Sequence, residues 1–243
     1  MNQTEFHAQV ATYSTGSTYE KIKKLLSFEN SNKLSILDIG CGSGVLDNEL
    51  ASFGHRVMGI DIQAPDVLPH SWQFIEGDIT QDWPVQKGFN VVLCTDVPEH
   101  MYDPAHILQE AEHVLLPNGK LVFGVPNHFD IRQRLVMLFG NGIVHWDQKK
   151  RFNENAWDYS HIRFFTLSEL EDFFAKHGWH IEARQFNFMG AGIVPNFLPH
   201  VIKFLLLKLW PGLFSGKFIF VLSRENPQKR PKNIYISSTP EGF

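Results

Sequence analysis

Cysteine is scarce: Cys41 and Cys94 are the only two in 243 residues. That is too few for a disulfide framework or a four-cysteine zinc site, and it suits a chain kept in the reducing cytoplasm. Positive charge is not in excess either. Lys plus Arg number 22 against 26 Asp plus Glu, a net charge of −4, which is the wrong sign for a chain whose main task is to neutralise phosphates, so nucleic-acid binding is set aside. Long apolar runs are missing as well. The stretch from His200 to Trp210, bounded by Pro199 and Pro211, makes about 16 Å of helix at roughly 1.5 Å per residue, against about 30 Å of bilayer core, and cannot span. The opening MNQTEFHAQV has neither the basic nor the apolar region of a secretory signal. No repeat of the period of a solenoid or propeller is present.

What remains is ordinary globular composition, 43% hydrophobic and 20% charged, enough for one large domain over residues 1–225 followed by a flexible tail over 226–243. From residue 34 short apolar runs alternate with helical or loop stretches, the rhythm of an α/β protein with a parallel sheet. Strands are predicted at Ser35 to Ile39, Arg56 to Ile60, Trp72 to Glu76, Phe89 to Cys94 and Lys120 to Val125. Gly44 to Phe53 and Pro104 to Val114 read as helices, and Ile62 to Ser71, with Pro65 and Pro69, as a loop or single turn. Thr166 followed by Glu169 is a capping box that opens a helix to His177, with Gly178 as its C-terminal stop. Trp179 to Phe188 and Lys217 to Arg224 complete an expected seven strands. The expected fold is therefore a Rossmann-like, mostly parallel seven-stranded sheet flanked by helices. It carries a lid insertion near 128–165 after strand 5 and an apolar insertion near 190–215 between strands 6 and 7.

The strongest signal is ILDIGCGSG, residues 36–44. An apolar strand runs into Asp38 and then Gly40, Cys41, Gly42 and Gly44 before a helix, and such glycines let backbone turn tightly and approach a ligand. Asp61 ends the second strand, where a carboxylate can accept both hydroxyls of a ribose, and Asp78 in GDI (77–79) stands where it can meet the exocyclic amine of an adenine. A nicotinamide cofactor uses the same architecture, but its fingerprint is G-x-G-x-x-G/A around a pyrophosphate. Here position 45 is Val, and the carboxylate of Asp38 beside the glycines suits a cationic amino-acid moiety better than a pyrophosphate.

Together with GIDI (59–62), FNVVLCTDVPEH (89–100), LLPNGKLVFGVPN (115–127) and SHIRFFTLSELEDFF (160–174), these segments resemble the class I S-adenosylmethionine-dependent methyltransferases. They are most similar to the bacterial small-molecule group with an E-H pair after strand 4 and an H-[IL]-R-F-F-T stretch later. The resemblance covers residues 33–190 and implies S-adenosylmethionine as cofactor. It places the methionine part along Asp38, Gly40, Cys41, Gly42 and Gly44, the ribose at Asp61 beside Ile62, the adenine at Asp78 and Ile79, and the sulfonium near Cys94 and Thr95. This chain departs from the pattern at Pro98, where the family more often has Leu, and in the near absence of a helix after the second strand.

An activated methyl leaves the protein two tasks, alignment of a nucleophile and, for a hydroxyl or ammonium acceptor, removal of a proton. His100, with an ordinary histidine pKa of about 6.5, is the candidate base, and Asp96 the second catalytic candidate. Asp96, Glu99 and His100 also spell D-x-x-E-H, a set that can hold a divalent ion, although the favoured reading is metal-free. His128, Arg132, Arg134, His145, Trp146 and Trp157 are lid groups for packing or acceptor recognition. Tyr159, His161 and Arg163 either overlook the site or tie the lid to the sheet. In NFLPHVIKFLLLKLWPGLF (196–214), His200, Lys203 and Lys208 fall within an arc of about 140° at 100° per residue. The rest is apolar and must lie against the sheet, a second subunit or lipid, the sheet being favoured. The expected acceptor is a small molecule, a sugar or a lipid-linked intermediate. The rival readings are a non-catalytic cofactor-binding regulator or scaffold and a nicotinamide-dependent oxidoreductase.

Overall fold

The computed structural model describes Ile22 and residues 33–66, 69–140, 142–143, 161–188 and 199–224. Seven strands form one sheet: β1 (Ser35–Ile39), β2 (Arg56–Asp61), β3 (Gln73–Glu76), β4 (Phe89–Thr95), β5 (Leu115–Pro126), β6 (His180–Phe188) and β7 (Ser215–Ser223). Their spatial order is β3-β2-β1-β4-β5-β7-β6. The first five strands are parallel, with Ile36 opposite Val91 and Leu37 opposite Val92, and β7 runs antiparallel to both β5 and β6.

The central strands are apolar throughout because both faces of the sheet are covered, as parallel sheets require. Successive side chains point to opposite faces, so β4 sends Val92 and Cys94 into one core and Val91 and Leu93 into the other. The helix α1 (Val45–Ser52) buries Leu46 and Leu50 on the second face, together with Ile22. On the first face α2 (Ala105–Val114) buries Ile107, Leu108, Ala111 and Val114, and α4 (Leu167–Lys176) buries Leu170 and Phe174. Between them in sequence lies α3 (Ile131–Leu138), capped by Asp130, which accepts from the backbone N–H groups of Arg132 and Gln133.

The capping box opening α4 is formed in both directions, and Gly178 follows the helix at φ +73°, the left-handed conformation of a C-terminal stop. One local expectation is revised: β5 starts at Leu115 rather than Lys120. Pro98, the departure from the family pattern, begins a single 3-10 turn, Pro98–His100. Between β2 and β3 no described residue is helical. Trp72 fills that side instead, donating its indole N–H to Asn48 of α1 at 3.1 Å.

Between β6 and β7 lie α5 (His200–Leu209) and the one-turn α6 (Pro211–Phe214). The sheet-buried placement favoured for the apolar helix is corrected: no described side chain of α5 is buried, and Phe204, Leu205 and Leu209 are exposed. The outer strands β6 and β7 pack their own core through Phe186, Phe218 and Phe220, and α5 lies at the margin of β6, with Lys203 over the Phe188 ring. His145, Trp146, Trp157 and Tyr159 of the expected lid, residues 189–198 of the expected insertion and the expected tail lie outside the described residues.

Candidate active site

The C-terminal ends of β1, β2 and β4 carry the candidate residues, the end of an open α/β sheet where ligands bind. After Ile39 the chain turns through Gly40, Gly42 and Gly44 at φ +73°, +54° and +69°, values that disfavour any side chain. The first and third are also packed shut. A Cβ on Gly40 would stand 2.2 Å from Val97, and one on Gly44 would stand 2.1 Å from the Trp72 ring. Gly42 differs, because a Cβ there meets nothing within 4 Å, so the middle of the loop faces open space.

Asp61 at the tip of β2 accepts from the Gly42 N–H at 2.8 Å and from the Gln63 N–H at 3.2 Å. The loop and the acidic residue are thereby locked as one unit, with carboxylate lone pairs left for ligand hydroxyls. Ile62 beside it is exposed. Asp78 is exposed and accepts from both the N–H and the hydroxyl of Thr80 on one oxygen. Those bonds hold its carboxyl below the usual range. Ile79 packs on the core beneath.

Under the glycine loop lie two buried carboxyls, Asp38 at 6% exposure and Asp47 at 0%. Burial raises both, and Asp47 is pushed up to about 7. Asp38 is raised further by Asp47 and Asp61. No cationic side chain among the described residues pairs with either. A cationic ligand group is therefore the partner this environment favours. The sequence reading missed Asp47. Its signal was an acid at a core-facing position of α1, between Leu46 and Leu50.

Across the sheet, β4 ends in buried Cys94 and half-buried Thr95. The chain then turns at Asp96, a non-glycine residue at φ +60°, whose carboxylate pairs with Lys217 of β7. This pairing keeps Asp96 out of the cluster that forms next to it. Glu99 is buried and His100 exposed in the 3-10 turn, while His161 reaches them from the segment before α4. Ligand atoms of Glu99, His100 and His161 all lie within 4.8 Å of one another, against about 3–4 Å around a divalent ion bound at distances near 2.1 Å. The set that could hold a metal is thus Glu99, His100 and His161 in place of D-x-x-E-H.

His161 is fixed on two sides. Its ring meets His100 edge-on at 4.7 Å, and its Nδ1 lies 2.7 Å from His128 Nε2. Its Nε2 lies 3.9 Å from Glu99, so the His161 ring stands between His128 and Glu99. The backbone N–H groups of Ile162 and Arg163 donate to the Glu99 carbonyl at 2.9 and 3.0 Å, and the Arg163 guanidinium donates to the carbonyls of Met101 and Tyr102. Arg163 is therefore a tie between the 161–165 segment and the turn after β4. Arg132, a lid candidate on residue type, is buried against Asp130.

A family model described as a methyltransferase domain matches residues 12–184. A ubiquinone biosynthesis O-methyltransferase from Hydrogenovibrio crunogenus is 34% identical over 200 residues, covering 77% of this chain and 74% of that protein. One from Paraburkholderia xenovorans is 28% identical over 149 residues, with 57% and 61% covered, so this chain spans under two thirds of the length of that relative. Among solved structures, the Burkholderia thailandensis 1,6-didemethyltoxoflavin-N1-methyltransferase, which holds its substrate and S-adenosylhomocysteine, aligns at TM-score 0.57 and 16% identity. It covers 90% of this chain and 84% of its own. A methyltransferase from Methanosarcina mazei aligns at 0.56 and 17% identity, with 82% and 95% covered. The glycine loop, the acids at the ends of β2 and β3 and the seven-stranded order agree with a family match over well over half of the sequence, and the chain belongs to the class I S-adenosylmethionine-dependent methyltransferases.

Proposed function

We propose that this chain transfers the methyl group of S-adenosylmethionine to an oxygen of a small-molecule acceptor, with His100 as the general base. The carrying observation is the Glu99, His100 and His161 cluster at the same sheet end as the glycine loop. The cofactor supplies a methyl on a positively charged sulfur, poised for in-line displacement. Gly40, Cys41, Gly42 and Gly44 would border its amino-acid part, with Asp38 and Asp47 beneath its ammonium. Asp61 with Ile62 would take the ribose, Asp78 and Ile79 the adenine, and Cys94 and Thr95 the neighbourhood of the sulfur. His100 would accept the acceptor's hydroxyl proton as the carbon–oxygen bond forms and the carbon–sulfur bond breaks. Glu99 and His161, the latter backed by His128, would fix the imidazole. Asp96, paired with Lys217, would shape the turn that carries His100.

Oxygen as the methylated atom is supported by the names of the relatives, both O-methyltransferases. An apolar or lipid-linked acceptor is supported by the exposed apolar side chains of α3 and α5. The rival of a non-catalytic cofactor-binding scaffold has no use for an acid-and-histidine cluster of this kind beside the cofactor end of the sheet.

Incubation with isotope-labelled S-adenosylmethionine and cell extract, followed by mass spectrometry, is expected to label a small molecule on oxygen. Label on nitrogen, or on no metabolite, would refute the proposal. Calorimetric titration is expected to show binding of S-adenosylmethionine and no binding of NAD. Asp61→Ala should weaken the cofactor by about 1.5–3 kcal/mol, the worth of hydrogen bonds to a charged group. An unchanged affinity would remove Asp61 from the ribose site.

A further inference from the structure

The large apolar side chains left in water by the described fold concentrate on α3 and α5. At the end of α3, Leu138 is 76% exposed, and Phe204, Leu205, Leu209 and Trp210 of the α5 region range from 41% to 61%. Scattered exposed leucines need no explanation, but a patch of this kind marks a contact surface. The segment leading into α3 and the segment that follows α5 are tied together. Asn127, three residues before Asp130, donates its side-chain amide to the carbonyls of Gly212 at 3.0 Å and Ser215 at 2.7 Å. A cavity of about 350 Å³ beside this tie is lined by Phe129 and Arg134, by Gly212 of α6, and by Thr166 and Glu171 from the start of α4.

Charge decides what this surface meets. Between Glu182 and Glu225 the sequence has no acidic residue and five basic ones; Arg184, Lys217 and Arg224 are paired with Glu171, Asp96 and Glu112, so the charge carried by α5 itself is that of Lys203 and Lys208. Residues 131–140 likewise have no acid, and Arg134 is exposed there, while Arg132 is turned inward onto Asp130. A second copy of the same face would bring like charges together across a two-fold axis. An anionic lipid surface attracts them, at about 1 kcal/mol per basic residue near the headgroups. No helix among the described residues is long and apolar enough to cross a membrane. The ten residues of α5 make about 15 Å of helix, which suits a segment lying in the interface plane.

We propose that the α3–α5 face docks this protein peripherally on an anionic lipid surface. The apolar side chains enter the headgroup boundary while Lys203, Lys208 and Arg134 sit among the phosphates. Lys203 is held at the edge of the patch, its ammonium 5.7 Å above the Phe188 ring, and Lys208 is exposed. The face lies at the sheet end that carries the candidate site: β7 begins after α6, and its Lys217 pairs with Asp96. Docking would thus turn that end toward the lipid. This last consequence rests on the functional reading above, whereas the docking itself does not.

The full chain is expected to co-sediment at low salt with vesicles containing phosphatidylglycerol, to be released by high salt, and to stay in solution with phosphatidylcholine vesicles. Lys203→Glu with Lys208→Glu should lower the partition coefficient at least about tenfold, and Leu205→Ser with Leu209→Ser should lower it comparably. Arg56→Glu, at the opposite end of β2, should leave it unchanged. Circular dichroism and S-adenosylmethionine binding confirm that each variant is folded, and vesicle binding is read without any methyl transfer, so its failure is separate from failure of the enzymatic reading. Failure to sediment, binding indifferent to lipid charge, or an equal loss with Arg56→Glu would overturn the proposal. So would a concentration-dependent dimer that the same variants dissociate in the absence of vesicle binding.

Discussion

His100→Ala is expected to lower turnover at least about 100-fold, within the range of general-base contributions, while the calorimetric affinity for S-adenosylmethionine stays within about twofold of wild type. The separation is the informative part. His100 is exposed in the turn after β4, and the glycine loop and Asp61 lock each other without it, so removing the imidazole should spare the cofactor. Turnover that survives the substitution would return His100 to a structural role in the His100–His161 ring contact. A chelator distinguishes how the cluster works. Activity that persists in chelator assigns His100 the base role unaided. Loss restored by a divalent ion assigns Glu99, His100 and His161 as its ligands, an ion that would itself lower the pKa of a bound hydroxyl.

The second large effect is on stability. Asp47 has its carboxyl pushed from 3.8 to about 7 by burial, so the folded state keeps a proton that the unfolded chain releases near 4. A carboxyl raised in this way makes stability fall as pH rises from about 4 to about 7, by up to about 1.4 kcal/mol per pH unit for each such proton. Asp38, also raised, adds to the slope and extends it upward. Asp47→Asn is therefore expected to flatten the profile by about one proton and to make the ligand-free protein more stable at pH 8, measured by urea unfolding between pH 5 and 8. Equal slopes in wild type and variant would show that Asp47 does not hold this proton. Saturating S-adenosylmethionine should flatten the wild-type profile too, since a cation set over the pair favours its ionised form.

The pattern of the sheet was legible because local physics writes it plainly. Apolar runs of strand length, glycines at the first strand-to-helix turn, and Thr166 with Glu169 at the start of α4 all report conformations set within a few residues. The antiparallel placement of β7 between β5 and β6 was legible only as a count of strands, since pairing joins residues nearly a hundred positions apart. The site divides in the same way. Gly40, Gly42, Gly44, Asp61 and Asp78 sit at fixed offsets from strand ends, so their spacing announces them. His161 joins Glu99 and His100 from about sixty residues away, and Asp96 leaves the set because Lys217 claims it. No spacing rule carries either fact.

By itself, then, the sequence determined the parallel α/β class, the cofactor loop and the acids that accompany it, because each depends on backbone conformation or on position along one strand. Only the tertiary structure decided which carboxylate stands with His100, that Asp38 has a buried partner in Asp47, and that α5 lies outside the core. Those outcomes depend on which distant surfaces come together. A helix that is apolar around most of its circumference specifies that it must be covered; the described fold leaves its apolar side chains exposed, and the lipid docking proposed above is what would cover them.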